Sequence, residues 1–305
     1  MTKTLSRSVL GSVCLTVALT VGAGLAAAQD VMAVSETKAT GFKFPESVGY
    51  DRQGKVLYVS NFGSEKLDPM LKDGKGYISK VSLDGAVLEE RFLPAAGQTL
   101  NKPKGIWISG GRLWTTDIDG VWEFDLKTKK GRKVMLPGIQ FANDPAILKG
   151  DLYVSDNRGD QIYKVSPADF LDMSGEPKVG VVVANKGISP NGLHPSGDGT
   201  LLAVGFKSDK EARGIFSISA DGVVKAVSKP IGRLDGVYQL RSGTLLVTDW
   251  NSGSLFAWTG KSDMKTLASG FKGPADFAVV PNDKGTLVVV PDLVASELRL
   301  VQLGK

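Results

Sequence analysis

The sequence predicts an all-β chain folded as a six-bladed β-propeller of four-stranded antiparallel blades, with an N-terminal strand closing the last blade. Three observations predict it. A unit with a turn-like opening and a short apolar strand occurs six times, at a period of about 40–47 residues, which is the spacing of propeller repeats. A second short strand in each unit ends in a small polar pair, as in Val59-Ser60-Asn61, Thr115-Thr116-Asp117, Val154-Ser155-Asp156 and Val247-Thr248-Asp249; Val290-Pro291-Asp292 keeps the acid, and Ala203-Val204-Gly205 has lost it. Helical periodicity is essentially absent after the first 28 residues, apart from one short turn expected between Pro167 and Met173.

The elements follow in order. Residues 1–28 read as an export signal. Lys3 and Arg7 supply the positive start, Val9 to Leu25 the apolar core, and Ala26-Ala27-Ala28 the small-residue cleavage pattern before Gln29. Residues 29–305 then form a single propeller domain. Val31 to Thr40 is strand-like and precedes the first unit. The last unit is short of a strand, so this segment is expected to supply its outer one, removing the exposed edges of an open stack. The six openings are Pro45-Glu46-Ser47-Val48, Pro103-Lys104-Gly105-Ile106, Asn143-Asp144-Pro145-Ala146, Pro190-Asn191-Gly192-Leu193, Leu234-Asp235-Gly236-Val237 and Pro274-Ala275-Asp276-Phe277. The first unit is longer than the rest and carries an insertion at Gly63 to Gly76. Second strands such as Val56-Leu57-Tyr58-Val59 and Leu152-Tyr153-Val154 follow glycine-containing turns, and Asp84-Gly85 and Asp221-Gly222 mark hairpins to outer strands. Trp107, Trp114, Trp122 and Trp258 are expected in blade cores, with Trp250, next to Asp249, the exception near the channel.

Composition excludes several function classes. The single cysteine, Cys14, lies in the leader, so the exported chain has no disulfide and its stability rests on its core. Formal net charge is +5, and +3 without Lys3 and Arg7. Lys127, Lys129, Lys130, Arg132 and Lys133 form the one dense basic run. No aromatic residues interleave with it, so it reads as a solvated hairpin rather than a nucleic-acid contact. With one histidine and no cysteine left, zinc is disfavoured. That histidine, His194, precedes Pro195 and reads as a surface or turn residue.

A radial arrangement would bring Glu46, Asn143, Asn191 and Asp235, each from an opening, onto one axis. Two carboxylates and two amide oxygens are hard donors, suited to Ca²⁺. Each alone is an ordinary turn residue. Lys104 occupies the same place in the second unit. Two readings stay open for it: contact with a substrate carboxylate or phosphate, or neutralisation of Asp276 across the channel. Asn157, Arg158 and Asp160 follow a second strand toward the same mouth.

Phe44-Pro45-Glu46, Phe141-Ala142-Asn143-Asp144, Ser189-Pro190-Asn191-Gly192-Leu193 and Leu234-Asp235-Gly236-Val237, in this order, resemble the SMP-30/gluconolactonase/regucalcin-like family, related to the diisopropylfluorophosphatase and paraoxonase propellers. The resemblance spans the chain from about Phe44 onward. It implies a six-bladed propeller with a catalytic divalent cation, normally Ca²⁺, in the channel, and hydrolysis of lactones or related esters. It implies Glu46, Asn143, Asn191 and Asp235 as ligands, with Asp235 also the catalytic base or nucleophile. Phe141, Lys104 and Arg158 are the candidate substrate contacts. Phe141 stands where sugar-lactone hydrolases of the family tend to carry an arginine, so a less polar wall is expected. The paired histidines associated with paraoxonases have no counterpart. The expectation is therefore a monomeric, periplasmic or secreted enzyme acting on a small molecule, with no nucleic-acid partner and no membrane attachment once the leader is removed. The alternative is a non-catalytic cell-envelope propeller that binds a small molecule or a protein partner.

Overall fold

The computed structural model describes Met1 and residues 31–260 and 263–304; the expected leader lies outside the described residues. Among the described residues, twenty-four strands form six four-stranded antiparallel sheets. The first blade runs outward from β2 (Pro45–Asp51) through β3 (Val56–Asn61) and β4 (Tyr77–Val81) to β5 (Val87–Leu93). The inner strands of the next four blades are β6 (Pro103–Ser109), β10 (Ala142–Leu148), β14 (Pro190–Pro195) and β18 (Leu234–Gln239).

Closure follows the expected route. The last blade is β22 (Ala278–Asn282), β23 (Gly285–Asp292), β24 (Glu297–Leu303) and then β1 (Ala33–Ala39). β1 runs antiparallel to β24 with Glu36 opposite Val301 and Lys38 opposite Arg299. The seam carries ion pairs: Lys38 Nζ lies 2.6 Å from Glu297 Oε1, and Arg299 meets Glu36.

Strand alternation explains why both faces of every sheet are buried. In β3, Leu57 and Val59 point into a cluster shared with the last blade, while Tyr58 between them joins a cluster shared with the second. The same division recurs around the ring. One apolar cluster fills each gap between neighbouring blades, for example Leu202, Val204, Leu234 and Val247 between the fourth and fifth. Trp114 belongs to one such core, and Trp107 and Trp258 pack against others. The basic run falls on a hairpin between β8 (Gly120–Asp125) and β9 (Gly131–Met135), where Lys129, Lys130, Arg132 and Lys133 pair with Glu89, Asp172, Glu176 and Asp119. Pro167 to Met173 forms turns without a helix. Among the described residues no helix is long and apolar enough to cross a membrane.

Two expectations need correction. The openings are not loops ahead of the inner strands; except in the last blade, they are the first residues of those strands. His194 is not in a turn but half-buried, lining the opposite mouth of the channel. It lies within β14, its ring centroid 4.3 Å from that of Tyr238, and burial pulls its pKa down to about 4.

Candidate active site

The inner strands share an irregularity that builds the site. Each of the first five pairs with its neighbour through a register shift at its start, for example between Pro45 and Ser47 and between Leu234 and Val237. A bulge of this kind turns two successive side chains toward the same side. The channel is therefore lined in layers, one residue per blade. The first layer is Glu46, Lys104, Asn143, Asn191, Asp235 and Ala275. The second is Ser47, Gly105, Asp144, Gly192, Gly236 and Asp276. The third, Val48, Ile106, Pro145, Leu193, Val237 and Phe277, is apolar and faces the opposite mouth.

The small polar pairs that close the second strands hold this geometry. Their hydroxyls stitch one blade to the next. Ser155 accepts from Asp144 N at 2.9 Å and donates to Asn191 O at 2.7 Å. Thr248 accepts from Gly236 N at 2.8 Å and donates to Ala275 O at 3.1 Å, and Thr116 donates to Asn143 O. The acids fix the chain entering each inner strand. Asp156 accepts from the backbone N–H of Gln140 and Phe141 at 2.9 Å each and from Gly159; Asp249 accepts from Arg233 N at 2.8 Å; Asp292 accepts from Lys272 and Gly273. In the fourth blade, whose pair is lost, Asp160 takes the N–H groups of Gly187, Ile188 and Ser189 instead. Asp156→Ala strands three N–H donors and is expected to cost about 2–4 kcal/mol, read as a lower urea midpoint.

Every candidate site residue meets in one cavity of about 190 Å³: Glu46, Lys104, Phe141, Asn143, Arg158, Asn191 and Asp235 all line it. Trp250, Phe62 and Phe206 complete an aromatic wall, and Leu67 and Pro69 from the first-blade insertion reach its rim. Asp235 is oriented by Trp250, whose indole N–H donates to Oδ2 at 2.7 Å. Three oxygens in this ring are buried without a hydrogen-bond partner: Glu46 Oε2, Asn191 Oδ1 and Asp235 Oδ1. A buried acceptor left unpaired costs about 1–3 kcal/mol, so three around one space form an arrangement that a bound cation would satisfy. Among the described residues no three acidic, histidine or cysteine side chains cluster as a metal group. The donors here are two carboxylates and two amides, which suits a hard ion.

Electrostatics point the same way. Burial, followed by the negative charge of Asp276, pushes Asp235 up to about 8. Burial and Asp235 hold Glu46 well above the usual carboxylate range. One layer down, burial and Asp276 raise Asp144 strongly, and burial raises Asp276 to about 6 although Ser47 Oγ donates to it at 2.7 Å. Cβ atoms on Gly105 and Gly236 would sit 2.1 and 2.8 Å from Asp144 Oδ1 and Asp276 Oδ1, so the glycines make room for these carboxylates. Burial draws Lys104 down to about 8. The carboxylate that most opposes this is Glu46. The ammonium lies 4.4 Å from the Phe141 centroid, and the Arg158 guanidinium lies over the same ring at 4.7 Å. The less polar wall expected at Phe141 therefore carries two cations.

Sequence reasoning placed Asp276 in the channel only as a partner for Lys104 and missed the rest of the second layer, together with Arg233 and Phe206. The adjacency of Asn143 and Asp144 was the available signal for the layer. Asn157 is spent on structure, donating to Ser189 O and Phe206 O.

No family model and no curated protein matches the chain. Solved structures do. A structure described as a "putative gluconolactonase" aligns with TM-score 0.63 and 13% identity, covering 88% of this chain and 92% of that one. Virginiamycin B lyase from Staphylococcus aureus aligns with TM-score 0.61 and 13% identity, covering 90% of this chain and 100% of its own. A catalytically inactive variant of that lyase with quinupristin aligns with TM-score 0.55 and 14% identity. The chain shares their six-bladed fold. At this identity the likeness is one of architecture, and it includes the gluconolactonase-type propeller that the ordered motifs resemble.

Proposed function

We propose that the chain is an exported, Ca²⁺-dependent hydrolase of lactones or related esters, periplasmic or secreted, acting as a monomer on a small molecule. The observation that carries this reading is the set of three unpaired buried oxygens on Glu46, Asn191 and Asp235, facing one cavity that Asn143 also lines. When bound there, the cation would polarise the carbonyl or phosphoryl oxygen of the substrate.

The chain's own residues account for the rest. Trp250 holds Asp235 Oδ2, leaving Oδ1 toward the cavity. In the base reading, Asp235 takes a proton from water as the water oxygen adds to the lactone carbonyl. The ring C–O bond then breaks, and the departing alkoxide recovers that proton. In the nucleophile reading the same oxygen adds to the carbonyl, the ring C–O bond breaks and the departing alkoxide takes a proton from water; the hydroxide so formed then attacks the acyl carbon, and the bond to Asp235 breaks to free the carboxylate product. Phe62, Phe141, Phe206 and Trp250 limit water around the reacting centre. The lyase neighbour is inactivated by a histidine-to-alanine change, whereas the one histidine of this chain faces the opposite mouth. That favours hydrolysis over lyase chemistry.

A panel of lactones, aryl esters and phosphotriesters should show turnover with at least one class in Ca²⁺, lost on chelation and restored by Ca²⁺. The absence of turnover across the whole panel would overturn the reading. A second cavity of about 440 Å³ at the far mouth, lined by Trp107, His194 and Tyr238, is the observation that favours the non-catalytic alternative. Ligand binding there would be insensitive to chelation.

A further inference from the structure

With Glu46 and Asp235 matched by a dication, the same mouth keeps an excess of positive charge. Arg158 is exposed and lies 4.7 Å from the Phe141 centroid; Lys104 is buried, 4.4 Å from the same centroid. Arg233 lies over Phe206 at 4.3 Å, and Phe206 meets Trp250 edge-on at 5.6 Å. Among the described residues neither arginine has an ion-pair partner, and Lys104 donates only to Lys102 O. The carboxylate that acts most on Lys104 is Glu46, and Asp235 acts on Arg233; the cation would match both, and the others nearby are committed elsewhere. Asp73 holds Lys102, Asp156 and Asp160 hold backbone N–H groups, and Asp249 holds the backbone N–H of Arg233. Aromatic faces position a cation without neutralising it, so these groups stay available to an anion. A guanidinium held over a ring keeps N–H donors free as a fork suited to a carboxylate.

The geometry points to a substrate class: we propose that this mouth selects compact lactones or esters bearing a carboxylate, which Arg158 and Lys104 hold beside Phe141 while the ester carbonyl reaches the oxygen ring, with Arg233 adding to the attraction. This rests on the hydrolase reading above. The size limit follows from the cavity, which at about 190 Å³ falls below the usual range of drug-sized pockets, about 300–1,000 Å³. An extended polymer or a large macrocycle would not fit.

The test compares γ-butyrolactone-γ-carboxylate with the matching carboxamide, which differs in charge and little in shape. Turnover and calorimetric binding are measured on the Ca²⁺-loaded full-length mature protein, with Arg158→Ala and Arg158→Lys alongside. The expected result is a kcat/KM about 10- to 100-fold higher for the carboxylate. That preference should collapse in Arg158→Ala, partly return in Arg158→Lys, and shrink with added salt. Equal kcat/KM for the two compounds, or a proportional loss for both in Arg158→Ala, would overturn the proposal while leaving the hydrolase reading intact. If neither is hydrolysed but only the carboxylate binds, and binding is lost in Arg158→Ala, the anion subsite stands and the hydrolase reading falls. If neither is hydrolysed or bound, both fall.

Discussion

Adding Ca²⁺ to the metal-free protein at a free concentration about a thousand times its Kd at pH 8 should raise the thermal midpoint by about 7 °C at that pH, and the same concentration should raise it less at pH 5, where protons compete for the carboxylates. The argument starts from the acids of the channel. Asp235 is pushed up to about 8 and Asp276 to about 6. An unfolded aspartate titrates near 4. The folded, metal-free protein therefore binds more protons than the unfolded chain between those values. For a group raised in this way, the stabilising contribution is complete below the unfolded pKa and is lost as pH climbs through the folded one. The metal-free midpoint should thus fall from about pH 4 to about pH 8. Lys104, drawn down to about 8 from 10.5, acts above that window, and His194, drawn down to about 4, opposes the fall only below about pH 6.5, as one group against Asp235, Asp276, Glu46 and Asp144, all of them raised. A cation replaces the protons as partner of the carboxylates, so it should flatten the fall. Thermal scans at fixed ionic strength, with chelator or Ca²⁺, measure both effects. A metal-free midpoint that is level from pH 5 to pH 8, together with no shift on adding Ca²⁺, would remove the basis for a cation in this ring.

The first layer of the channel was legible in the sequence because a repeat of fixed period makes equivalent positions comparable. Glu46, Asn143, Asn191 and Asp235 were found this way, and the structure brings all four to one cavity with Lys104, Phe141 and Arg158. The blade number and the closing strand were legible for the same reason. Asp144 was not, and Asp276 was placed in the channel only as a partner for Lys104, because assigning one channel-facing residue to each unit assumes regular alternation. The register shift at the start of the first five inner strands breaks that assumption and exposes the next side chain as well. His194 was misread because its environment comes from Tyr238 on the next blade, which no local pattern reports. Arg233 was missed for a related reason. Its position over Phe206 depends on how two blades meet, a property of packing and not of spacing.

Asp235→Asn should separate function from stability more sharply than any other change in the chain. Asparagine keeps the size of the side chain and can still accept from Trp250 through its oxygen, so the wall of the cavity is retained. It removes one of the buried negative charges that raise one another: Asp235 raises Glu46 and Asp144, and Asp276 raises Asp235. Without metal, the variant should therefore be more stable than the parent at pH 8 and little changed at pH 5, where Asp235 is already protonated. With Ca²⁺ the order should reverse, because the ring has lost one of its two first-layer carboxylates. Turnover should fall by about a thousandfold or more, since the lost group is both a cation ligand and the base or nucleophile. Gain of metal-free stability and loss of activity in one substitution is the signature of charge held in place for chemistry rather than for folding. If Asp235 were only a turn residue, the variant would lose stability with and without Ca²⁺ and keep its turnover, which urea midpoints and kcat/KM on the same preparations would show directly.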